Sequence, residues 1–348
     1  MKKIHWISLV LISIVALVAC KKDEETIEAT GPTPYVLVIP DGLPNMNIPS
    51  HNPLTVEGVA LGKKLFYDEI LSGNNTQSCG DCHQAAHSFT DPLQFSIGID
   101  GIAGTRNGMP ITNLGWQPGF FWDGGATDLE SQVIGPIQNP VEMHETLVNC
   151  IAELNAHPDY PSLFKAAFGI DEITTPFLMR AVAQFERTLI SGNSRYDQYV
   201  RGDIVLSALE LEGMNLFTDM SKGDCNHCHV LGSTFSDFGY RNTGLDSIPV
   251  DEGRYLITLF ESDKGRFKTP SLRNIEVSGP YMHDGRFSTL MQCIEHYNTG
   301  FHYSANLDGN LATSVKGRMN LEEMQAIEAF LLTLTDTEFL NNPAFQPE

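Results

Sequence analysis

Two pentapeptides carry the residues best able to do chemistry: Cys79-Gly80-Asp81-Cys82-His83 and Cys225-Asn226-His227-Cys228-His229. Two thiols separated by two residues, with a histidine next, is the attachment pattern of a c-type haem. The thiols add to the two vinyl groups. The histidine binds iron through a neutral imidazole nitrogen. A single copy also fits a redox pair or half a zinc site. Two copies in an exported chain favour haem, because no reducing cytosol keeps such thiols free.

Export is read from the N-terminus. Lys2 and Lys3 precede an apolar run, Ile7 to Ala19, of signal-peptide length and too short for a comfortable membrane span. The run ends Leu17-Val18-Ala19-Cys20, which resembles a bacterial lipobox with Cys20 as the lipidated first residue. The chain is then anchored to a membrane, in the periplasm or cell envelope. Lys21-Lys22-Asp23-Glu24-Glu25 follows, as a solvated tether or a surface-export signal. Residues 21–34 show no apolar period and read as a flexible linker.

The formal charge is −21, and loss of Lys2 and Lys3 makes it two units more negative. Nucleic acid and anionic membrane surfaces are poor partners for such a chain; a basic electron donor is a good one. Of seven cysteines, one takes lipid and four take haem. Cys150 and Cys293 lie in apolar helical patterns and read as buried free thiols.

The elements that position these residues form a weak repeat. Gly58 to Phe66 precedes the first pentapeptide and Glu210 to Phe217 the second; each is a short helical pattern ending in Leu-Phe. The repeat argues for two domains of one type. Residues 88–145 are rich in Gly, Pro, Asn and Asp with weak periodicity, the mark of a long ordered functional loop. Residues 145–200 return to helix, with a joint between domains at Asn193 to Asp203. Residues 238–290 form a second loop-rich stretch. Leu290 to His296 and Leu321 to Leu334 are helical, the latter capped by Asn320 with Glu323 three residues on. The expectation is an all-α protein: residues 1–19 a lipoprotein signal peptide, 20–40 a tether, 41–200 and 201–340 two cytochrome-c-like domains, each around one covalent haem.

From about Val56 to Thr335 the chain resembles the bacterial di-haem cytochrome c peroxidases and the related MauG enzymes of tryptophan tryptophylquinone maturation. Beyond the pentapeptides, the resemblance rests on Ser88-Phe89-Thr90-Asp91, Gly104-Thr105-Arg106-Asn107 and Phe121-Trp122-Asp123-Gly124. It extends through Gly135 to Met143, Thr269-Pro270-Ser271-Leu272-Arg273-Asn274 and Pro280-Tyr281-Met282-His283-Asp284-Gly285.

The resemblance implies reduction of hydrogen peroxide with electrons from a small cytochrome c or cupredoxin, and it admits a homodimer. It makes the haem of Cys79, Cys82 and His83 the peroxidatic one, with Glu142 as distal acid–base, Pro136 shaping the pocket and Gln132 one turn before it. Many relatives place a distal histidine where Ile99 stands, and Ile99 cannot bind iron; His144 is the nearby alternative. The haem of Cys225, Cys228 and His229 becomes the electron-entry centre. Its second axial ligand is Tyr297, with Met282 as the alternative and His283 and His296 as further options. Trp122 matches an inter-haem tryptophan. A Ca2+ between the domains would take Asn107 through its side chain and Ser278 and Pro280 through main-chain carbonyls. The competing readings are a MauG-like oxidase of a partner protein's aromatic residues and a non-catalytic di-haem carrier.

Overall fold

A glycine at the same place in each half lets two helices cross at backbone distance. In this computed structural model, which describes residues 31–347, helix Val56–Tyr67 crosses Thr175–Glu186, and helix Ala208–Thr218 crosses Leu321–Leu332. A Cβ on Gly62 would collide with the carbonyl oxygen of Ala181, and one on Gly213 with that of Ala326. Only glycine permits such an approach. Beside the crossings, Phe66 meets Phe185 and Phe217 meets Phe330, each pair with ring centroids 5.3 Å apart. The repeated Leu-Phe endings thus mark two copies of one helical crossing. The signal segment 1–19 and Cys20 lie outside the described residues.

The molecule is mostly helical. Helices Leu147–Ala156 and Tyr160–Phe168 complete an N-terminal core around Cys150, Tyr160 and Phe164. Helix Leu321–Leu332 begins at the expected capping box, with Asn320 and Glu323 bonded to each other's main-chain N–H. The one sheet among the described residues pairs Tyr240–Arg241 with Phe267–Lys268, antiparallel. Residues 88–145 are loop with short helical turns, as their Gly and Pro content requires.

Three expectations need correcting. The tether is fixed earlier than residue 40: Thr33 donates its N–H and hydroxyl to Glu57, and Tyr35 N–H donates to Leu54. The stretch expected as a joint contains helix Arg195–Arg201. Its Tyr196 packs on Phe235 and Phe330, and Asp197 takes a buried bidentate pair from Arg273 at 2.8 and 2.9 Å. A polar sequence there serves internal pairing. Cys150 is buried as expected, but Cys293 is only half-buried; both are free thiols.

The end of the chain returns to the first half. Asp336 accepts from the hydroxyl of Ser191 and the N–H groups of Gly192 and Asn193. Phe339 and Phe345 pack together and against Phe89, and the Tyr67 hydroxyl donates to the Phe345 carbonyl.

Candidate functional site

Each attachment histidine is held by the same local device. His83 Nδ1 lies 2.8 Å from the Phe89 carbonyl oxygen, and His229 Nδ1 lies 3.1 Å from that of Phe235. Only N–H can donate to a carbonyl, so Nδ1 carries the proton and Nε2 keeps its lone pair for a metal. Burial depresses both imidazoles, His229 to about 4, so both are neutral at physiological pH. The four pentapeptide thiols are unpaired. Burial raises all four, Cys225 to about 12 and Cys228 to about 11. They are protonated thiols, the form that adds to a vinyl group.

Cys225, Cys228 and His229 wall a cavity of about 220 Å³, whose lining also includes Tyr297, Met282 and Trp122. One water needs roughly 10–15 Å³, so this is space for a large group. Arg318 lines it with a buried Nε that has no partner, while its Nη2 donates to Gly223. A haem carboxylate would supply the missing acceptor. Beside Cys82, Gln77 donates to the Ile97 carbonyl and leaves its own buried Oε1 without a partner. Thiols, neutral imidazoles and the orphaned guanidinium N–H all fit haem.

The turn Asn139–Met143 sets the face of the first site. Asn139 Nδ2 donates to Glu142 Oε1 at 2.8 Å, and Ile99 N–H donates to the Glu142 carbonyl at 2.9 Å. Gly98 lies so close to Val141 and Glu142 that any side chain would strike their carbonyls. Burial raises the Glu142 carboxyl, with the Asn139 bond opposing. Its charge also reaches Cys82, which burial and then Asp91 push up to about 11. Glu142 is therefore a half-buried, clamped carboxyl beside the first attachment segment, holding its proton above the usual carboxylate range.

Of the histidines expected as spare ligands, His144 and His296 are bonded elsewhere and His283 lines the large cavity; His87, not expected as one, is also bonded. His144 Nδ1 is 2.6 Å from Asp100 at the surface. His296 Nε2 is 2.9 Å from the Thr243 carbonyl. His283 stacks on Phe267, centroids 3.7 Å apart. His87 Nδ1 is 3.2 Å from the Val277 carbonyl.

A constant sequence offset relates the loop regions of the two halves. Asn113 and Asn274 both adopt left-handed backbone, as do Phe121 and Met282. Bridge Phe120–Ala126 matches Tyr281–Phe287, and N-cap Asp128 matches Thr289. In that register Pro136 and Tyr297 occupy the same place after their caps, and Met282 corresponds to Phe121. The position that carries a phenol in one half carries a ring without a donor atom in the other.

Residues 56–204 match the family model described as di-haem cytochrome c peroxidase. The chain is 35% identical over 298 residues to the methylamine utilization protein MauG of Methylorubrum extorquens, covering 85% of this chain and 82% of that one. It is 36% identical over 301 residues to the cytochrome c551 peroxidase of Nitrosomonas europaea, covering 84% of each. The chain belongs to the di-haem cytochrome c peroxidase family. A solved MauG-like protein associated with microbial copper homeostasis superposes with a TM-score of 0.83 at 32% identity, over 90% of this chain and 99% of that one.

Membership in the di-haem peroxidase family gives meaning to the junction around Asn107. Asn107 Nδ2 donates to the carbonyls of Leu93 and Gln94, which leaves Oδ1 free as an oxygen ligand. Asn107, Ser278 and Pro280 all line the large cavity, an oxygen set of the kind calcium takes. The Trp122 indole donates to the Asn107 carbonyl, and Asn107 N–H donates to that of His283. Two residues escaped the sequence reading. Arg318 sits in a polar run with nothing to mark its burial. Lys268 is 2% exposed; a lysine between Phe267 and Pro270 in a stretch of the repeat was the available signal.

Proposed function

We propose that this di-haem peroxidase reduces hydrogen peroxide to water, taking two electrons and two protons per peroxide, with the electrons drawn from a small cytochrome c or cupredoxin. The observation that carries the reading is Glu142. Its half-buried carboxyl is clamped at the first attachment segment, where Ile99 and Pro136 offer no iron-binding atom. When bound, haem iron would relay the donor's two electrons to peroxide. The chain's own work is to move protons: Glu142 takes one from the nearer peroxide oxygen and returns it to the departing one. Asn139 keeps Oε1 oriented, Gln132 and Pro136 narrow the approach, and Trp122 bridges the way to the C-terminal site.

The finer reading has residues 41–200 and 201–340 as two cytochrome-c-like domains, each with one covalent haem. Tyr297, which lines the C-terminal cavity together with His229, would also hold the iron there. Calcium binds at Asn107, Ser278 and Pro280. Cys20 anchors the exported chain to the cell envelope. A MauG-like oxidase acting on a partner protein is the second reading, and the pairing of Pro136 with Tyr297 favours it.

Steady-state oxidation of reduced cytochrome c by peroxide separates these. A peroxidase turns over. A maturation oxidase reacts with peroxide but oxidises small donors slowly. A pure carrier does neither, and that result would refute both enzymatic readings.

A further inference from the structure

The same offset that pairs the two loop regions reaches the proposed cation site. Asn107 N–H donates to the His283 carbonyl at 2.8 Å, and Lys268 N–H donates to the Trp122 carbonyl at 2.7 Å. Asn107 thus corresponds to Lys268 as Trp122 corresponds to His283. Continued, the register pairs Ser278 with Gln117 and Pro280 with Gly119. The Lys268 ammonium donates to Gln117 Oε1 at 2.6 Å and to the Gly119 carbonyl at 2.8 Å. The two residues that solvate this ammonium are therefore the repeat counterparts of Ser278 and Pro280.

We propose that Lys268 is a built-in cation, the covalent counterpart of the metal at Asn107, Ser278 and Pro280, and that its charge beside Trp122 holds up the reduction potential of the C-terminal haem. The proposal rests on haem filling the cavity that Lys268 helps to wall.

Little else neutralises that charge. The carboxylate facing it is Asp123, which is already bound by Arg106, itself bidentate to Asp251. Across the strand pair stands Tyr240, with the Arg254 guanidinium 3.7 Å from its ring centroid. His229 lines the same cavity as a neutral imidazole, and Asp224, Asp308, Arg241 and Arg318 are the charged groups on its wall. A buried positive charge stabilises an added electron nearby and opposes a hole on Trp122. Each electron that passes leaves the C-terminal centre and arrives at the N-terminal one; Trp122 loses and regains one, and Lys268 exchanges only a proton with solvent. Burial lowers the Lys268 ammonium to about 7, with Asp123 opposing. The charge is present below that pH and lost above it.

The test is spectroelectrochemistry of the full-length protein, with two haems per chain verified first by pyridine haemochrome. A chain without haem refutes the cofactor reading instead. The C-terminal midpoint potential should fall as pH rises through about 7. Lys268→Met should hold the low value at every pH, and Lys268→Arg the high one. Lys268→Asn rebuilds the side chain that Asn107 provides, and added calcium should raise its potential. A wild-type potential flat from about pH 6 to 8 around that value, a Lys268→Met profile like wild type, or a Lys268→Asn potential indifferent to calcium each overturns the proposal.

Discussion

The indole N–H of Trp122 donates to the main-chain carbonyl of Asn107 at 2.8 Å. The aromatic ring that walls the C-terminal cavity is thereby tied to the residue whose side-chain oxygen faces the proposed calcium. Removing the metal should loosen that anchor. Chelation with EGTA is expected to shift Trp122 fluorescence and slow electron transfer between the haems, both restored by calcium. Asn107→Ala should reproduce the chelated state and not respond to calcium. Identical stopped-flow traces with and without EGTA would remove calcium from the junction.

Glu142→Gln keeps the acceptor for Asn139 and deletes the titratable group. Peroxide turnover should fall by about 10²–10⁴-fold with both haems retained. Because burial raises this carboxyl, the acid limb of kcat/KM should lie above the usual carboxylate range. The same shift has a stability consequence. A raised acid stabilises the fold below its unfolded-state value and loses that contribution as pH rises through its folded value. Glu142→Gln should therefore be at least as stable as wild type at neutral pH, read as the denaturant midpoint.

Tyr297→Phe should change the spectrum of the C-terminal haem alone, while Met282→Leu leaves ligation intact. Loss of the low-spin signal in Met282→Leu would make Met282 the ligand and strengthen ordinary peroxidase chemistry.

Ile99 predicts an N-terminal haem that is five-coordinate or water-bound in the oxidised protein. Electron paramagnetic resonance should show a high-spin signal before any reduction, and peroxide should react without a lag. Ile99→His should convert that signal to low-spin and slow the reaction with the oxidised enzyme at least tenfold, an order-of-magnitude expectation for blocking one coordination position. Two low-spin haems in the wild type would point to a distal ligand other than Ile99.

The two Cys-x-x-Cys-His segments were legible because their residues are contiguous, and the Leu321–Leu332 helix because Asn320 and Glu323 cap it locally. What the sequence concealed depends on partners far along the chain. Thr33 is fixed by Glu57, Asp197 by Arg273, and Lys268 by Gln117 and Gly119. The polar character of each reads equally well as a linker or a solvated surface. The choice between Tyr297 and Met282 rests on resemblance, since both line the same cavity.

The return of Phe339 and Phe345 to Phe89 bears on biogenesis. Cys79 and Cys82 leave the ribosome long before those phenylalanines exist. The C-terminal core, from Tyr196 to Leu334, contains all its parts before the cluster of Phe89 and Phe339 does. The apolar cluster beside the first attachment segment is therefore closed last, although its thiols are made first. Loading of Cys79 and Cys82 would be the step most exposed to a C-terminal truncation or fusion, although the altered residues lie far along the chain.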